Sequence, residues 1–194
     1  MRSCAVAKKS LRRKPRSLRR PGRSIARSGA SGRASSVRDE VELLRHTVAT
    51  LAYRGGKALR GAPAGFAEFR AGDSTRTPGQ ILAHLGDLLD WALSKANGAE
   101  KWRNSAPANW EEGSKRFFAG LAAFDARLAT GKTLGCCAEE LFQGPVADAL
   151  THVGQIAMLR RLAGTPVRGE NYAKAKIKAG CVGAEQPAAI FEFD

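Results

Sequence analysis

No apolar run in the chain approaches 18 residues, the length a membrane-spanning helix needs, so no such helix is expected. Nor does an apolar stretch follow the basic start, which argues against a secretory signal. The paired arginines Arg12-Arg13 and Arg19-Arg20 likewise lack the hydrophobic run of an export signal. Cysteine is scarce. The four thiols, Cys4, Cys136, Cys137 and Cys181, form no CxxC or paired Cys/His spacing, which excludes a disulfide framework and a zinc knuckle. Free thiols suit a reducing compartment, and a cytoplasmic location is the expectation.

The first 38 positions hold no acidic residue and carry 13 of the 32 Lys and Arg; the other 156 positions hold 19 basic against 18 acidic residues. The formal charge of +14 therefore belongs to the leader. The chain beyond the leader has no basic excess with which to hold a phosphate backbone. Residues 1–36 are rich in Arg and Ser and poor in large apolar side chains, too poor to offset the entropy of ordering, and are expected to be disordered. A solvated extension is the plainest reading of this tail. A nucleic-acid-binding arm and an organelle transit peptide are the alternatives.

Beyond the tail, four amphipathic stretches with short to medium connections and no alternating strand pattern predict an all-α fold, an up-down four-helix bundle over 37–167. The first helix runs from Val37 to Arg60, with Leu44, Val48, Leu51 and Gly55 on one face; His46 falls off that line and reads as a surface or boundary residue. Gly55-Gly56 implies close helix packing or early fraying. Thr77-Pro78-Gly79-Gln80 is a capping-box start for the second helix. Its inner line is Ile81, Leu85, Leu88 and Ala92, with His84 among them and Asp87, Asp90 and Lys95 expected at the rim or in solvent. Trp110, Ser114, Phe117, Leu121, Phe124 and Leu128 give the third helix a core stripe from Asn109 to Thr130. The fourth is bounded by Gly144-Pro145 and Gly164, after a connector with room for one helical turn at Ala138–Phe142. Arg160 and Arg161 suit its C-terminal end. Residues 168–194 mix Pro, Gly and Lys and are expected to pack loosely over the bundle.

Two polar residues interrupt the apolar face of the fourth helix. Asp148 and His152 are four apart, about 6 Å along the axis and roughly 40° around it, so their side chains can converge. With His84 facing them from the second helix, two imidazoles and a carboxylate form a three-ligand set of the kind bundles assemble from facing helices. The plainer reading is two core-edge histidines satisfied by Asp148 or by water. Gln155 either supports such a site or is a helix-packing amide.

TPGQILAHL (Thr77–Leu85) on the second helix and ALTHVGQIAMLRRLAGTP (Ala149–Pro166) on the fourth resemble the DinB-like four-helix-bundle metalloenzymes, which are related to mycothiol-dependent maleylpyruvate isomerases. The resemblance spans Val37 to Val167 and is carried by the inward histidine of the second helix and the His-x-Gly-Gln run of the fourth. It implies a divalent metal on three side chains. His84 and His152 take two of the family's histidine places, while Asp148 stands where a third histidine is usual. That exchange moves the preference from nickel or zinc towards iron, manganese or zinc. By the same resemblance the open metal position activates a low-molecular-weight thiol or water, for transfer to or hydrolysis of a small-molecule substrate. A homodimer is a separate expectation. Two other functions compete: a non-catalytic metal-binding or structural helical protein, and nucleic-acid binding through the basic tail.

Overall fold

In a computed structural model describing residues 29–193, the first helix is α1 (Gly29–Leu59). It begins eight residues before the expected start at Val37, so the end of the stretch read as disordered tail is helical. No proline interrupts 29–36, and once a helix is nucleated each further residue adds a hydrogen bond. The rest of that tail, 1–28, lies outside the described residues, and with it the nucleic-acid reading.

Local capping chemistry fixes the next two helices. The Gln80 N–H donates to Thr77 Oγ1 at 3.2 Å and the Thr77 N–H donates to Gln80 Oε1 at 2.9 Å, completing the capping box that opens α2 (Pro78–Ala96). The Glu112 N–H donates to Asn109 Oδ1 at 2.9 Å and opens α3 (Trp110–Ala129). The fourth stretch departs from expectation. A short α4 (Ala138–Leu141) runs through a π-helical turn, Phe142–Val146, into α5 (Ala147–Leu162). Gly144-Pro145 thus lies within a continuous helical path instead of opening it. Pro145 has no N–H and its ring crowds the preceding turn; a widened turn accommodates both. At the far end Gly164 takes φ 75°, and the Thr165 N–H donates to the Arg160 carbonyl at 2.9 Å, a Schellman close.

The four long helices touch in the pairs α1–α3, α3–α2, α2–α5 and α5–α1. Between them lie Leu44, Val48 and Leu51 of α1, Ile81, Leu85 and Leu88 of α2, Phe117, Leu121 and Phe124 of α3, and Val153 and Ile156 of α5, all buried. Gly55 explains the close approach of α1 and α3. A Cβ there would stand 2.7 Å from the Phe117 ring, so the glycine is a packing position and the helix continues past it.

Among the buried charged groups, Asp87, Arg160 and Glu170 differ from their sequence expectation. Asp87 is 3% exposed and not at the rim. It accepts hydrogen bonds from Ser105 Oγ at 2.6 Å, the Ser105 N–H at 2.9 Å and Arg116 Nη2 at 2.7 Å, bringing the connector after α2 onto α3. Arg160 serves the end of α1 as well as that of its own helix. Its guanidinium donates to the carbonyls of Ala58, Arg60, Gly61 and Thr165, where the C-terminal end of α1 concentrates negative partial charge. Glu170 anchors the C-terminal extension, accepting from the Tyr53 hydroxyl at 2.7 Å and from Lys57 Nζ at 2.7 Å. There a two-residue strand β1 (Gly169–Glu170) pairs antiparallel with β2 (Glu192–Phe193), and Val182 is buried against the helices. Strands of two residues are too short to show a period in the sequence.

Candidate metal centre

The site forms where α2 meets α5. His84 lies on the inner line of α2, one turn after Ile81 and one before Leu88, because the apolar residues on either side of it must face the core. From α5, Asp148 and His152 project one turn apart, just past the π-helical turn. The Asp148 carboxylate stands between the two imidazoles: Oδ2 is 3.4 Å from His84 Nε2 and Oδ1 is 3.5 Å from His152 Nε2. The two rings are perpendicular, with centroids 4.7 Å apart. One ligand atom from each of the three side chains lies within 4.8 Å of the others, so this group can hold a metal ion.

The donor atoms suit that use. Ligand bonds of about 2.0–2.2 Å set neighbouring donors roughly 3 to 3.5 Å apart, and each imidazole Nε2 stands at such a distance from one oxygen of Asp148, Oδ2 for His84 and Oδ1 for His152. The His84–Asp148 contact is also a long hydrogen bond at 3.4 Å, beyond the usual nitrogen–oxygen distance of about 2.9 Å. His152 Nδ1 lies 2.9 Å from Gln155 Oε1; donating its proton there leaves the Nε2 lone pair facing Asp148. Burial pushes the His84 imidazole below its ordinary pKa. The neighbouring His152 and, more weakly, Arg76 add to the effect, against an opposing pull from Asp148. A neutral imidazole at neutral pH keeps the lone pair that a metal requires.

Beside the histidines is a cavity of about 670 Å³, lined by Arg76, Ile81, His84, His152, Gln155 and Leu159 among others. Asp148 does not line it; its side chain, 46% exposed, lies to one side. Trp102 packs edge-on against His84 at 5.6 Å and Trp91 against Trp102 at 5.7 Å. His46 is exposed on α1, as its position off the apolar line implied.

No family model matches the chain, and neither does any curated protein or solved structure. Functional assignment therefore rests on the side chains and their geometry.

Arg76 and Trp102 are members of the site that sequence reasoning misses. Both sit in connectors, where no helical period marks the direction of a side chain. The available signals are weak: a tryptophan inside the polar run Lys101–Ser105, and an arginine directly before the Thr77 cap.

Proposed function

We propose that the protein is a divalent-metal-dependent enzyme of the DinB-like type, its four long helices forming an up-down bundle around the His84, Asp148 and His152 ligand set. The observation that carries this reading is that both histidines border the same cavity while Asp148 reaches each of them. The closed sequence of helix contacts supports the bundle, and the three-donor group, which leaves coordination positions over, supports an open site.

His84 and His152 would supply neutral nitrogen donors and Asp148 a single negative charge, leaving a divalent ion net positive. Zinc, iron and manganese all suit this nitrogen and oxygen set, and nickel suits the imidazoles. When bound, such an ion lowers the pKa of a thiol or water beside it, giving a nucleophile at neutral pH. The chain's own residues do the rest. Gln155 holds the His152 tautomer, and Trp102 packs against the His84 ring. The cavity gives a small substrate access to the histidine face. Among the described residues no side chain at the site stands out as a separate general base.

Two assays test the proposal. Purified wild-type protein is expected to contain bound metal, and His84→Ala, Asp148→Ala and His152→Ala are each expected to lose it. Consumption of electrophiles in the presence of glutathione and other small thiols should then follow metal content. Metal without turnover would leave a metal-binding protein; absence of metal from the wild type would overturn both.

A further inference from the structure

We propose that the cavity beside His84 and His152 takes a small organic monoanion with an apolar body, its charged end on Arg76 and its hydrocarbon against Ile81, Leu159 and Leu162. This deepens the proposed function by naming a substrate class; only the direction in which the ligand's other end points rests on the metal reading.

The sign of the cavity is the first argument. Arg76 lines it and no carboxylate does. Arg76 is exposed and makes no hydrogen bond or ion pair among the described residues. Less exposed guanidiniums are engaged within the chain: Arg45 by Asp125, Arg116 by Asp87 and Asp90, Arg160 by backbone carbonyls. A guanidinium with its fork of donors open to a cavity is a ready partner for a carboxylate, sulfonate or phosphate.

The rest of the wall is the second argument. Ile81 and Leu159 form its floor, while Met158 and Leu162, each 57% exposed, continue the apolar surface outward. Covering such a surface with hydrocarbon removes it from water, and about 670 Å³ lies within the usual range for small-molecule sites, about 300–1,000 Å³. A single arginine matches a single negative charge. Nucleotides and polyanions would call for several cations, and the cavity lining provides one.

Calorimetric titration of the full chain with octanesulfonate, run beside neutral octanol, reads this directly. Sulfonates ligate divalent metals weakly, so the probe reports on Arg76 and not on a metal. Octanesulfonate is expected to bind more tightly than octanol, and Arg76→Ala to weaken it by about tenfold or more. Arg76→Lys should recover part of the loss. Arg161→Ala, an exposed arginine of α5 outside the cavity, should leave affinity unchanged. Equal binding of octanol and octanesulfonate, unchanged affinity in Arg76→Ala, an equal loss in Arg161→Ala, or no binding at all would each overturn the proposal. Metal content of the same samples is measured separately. Wild-type protein lacking metal overturns the proposed function, while the titration alone decides the anion site.

Discussion

Asp87 and Asp148 are both carboxylates on inward-turned helix positions, yet their surroundings differ in kind. Asp87 is nearly sealed from water and accepts three short hydrogen bonds, one of them from the permanent cation Arg116. Burial alone would push its pKa up; the bonds from Ser105 and Arg116 outweigh that and hold it below the ordinary carboxylate value. Asp148 keeps nearly half its side chain in water and faces two imidazoles at 3.4 and 3.5 Å, with no Lys or Arg paired to it among the described residues. The first is a structural joint whose charge the chain itself balances. The second offers donors in the arrangement that a cation from outside can share.

Removing each carboxylate should separate the two roles. Asp87→Ala strands Ser105 and part of the Arg116 guanidinium and is expected to cost about 3 kcal/mol by chemical denaturation. Asp148→Ala, at a half-exposed position, should cost under about 1 kcal/mol in metal-free protein while abolishing metal binding. Comparable losses of stability would erase the distinction. Metal supplies the next largest effect. Zinc at about 100 times its dissociation constant should stabilise wild type by about 2.7 kcal/mol, seen as a higher melting temperature, and leave His84→Ala unmoved. A smaller change tests the support of His152: Gln155→Ala should weaken metal affinity about tenfold with stability within about 0.5 kcal/mol of wild type.

The pH dependence sharpens the contrast further. Because the folded pKa of Asp87 is depressed, the unfolded chain binds more protons as the medium becomes acidic. Its contribution is therefore complete above the ordinary carboxylate pKa, about 3.9, and is lost as pH falls through the lower folded value. Denaturation curves of Asp87→Asn should show a flatter acid limb than wild type below about pH 4. An unchanged acid limb would mean that other carboxylates carry it.

How much of the molecule is legible in the sequence depends on the range of each interaction. The Thr77 capping box and the Asn109 cap are contacts within three residues, so their residue types announce them. The gathering of His84, Asp148 and His152 is readable because each interrupts an apolar line whose direction the helical period fixes. Asp87 is not, because its partners, Ser105 and Arg116, lie 18 and 29 residues away across a connector. Gly144-Pro145 resembles a helix start; that it sits in a π-helical turn depends on the chain from Ala138 already being helical. Glu170 is hidden in a tail whose composition looks loose, and only the Tyr53 and Lys57 contacts show why it is buried. The DinB-like character of the chain is a proposal supported by the helix contacts and the donor set.

Elemental analysis of the purified full chain, beside His84→Ala and Asp148→Ala, bears most directly on the shared-cation reading. Roughly one divalent ion per chain in wild type, lost in both variants, is the expected result. Wild type without metal, or variants that retain it in full, would contradict it.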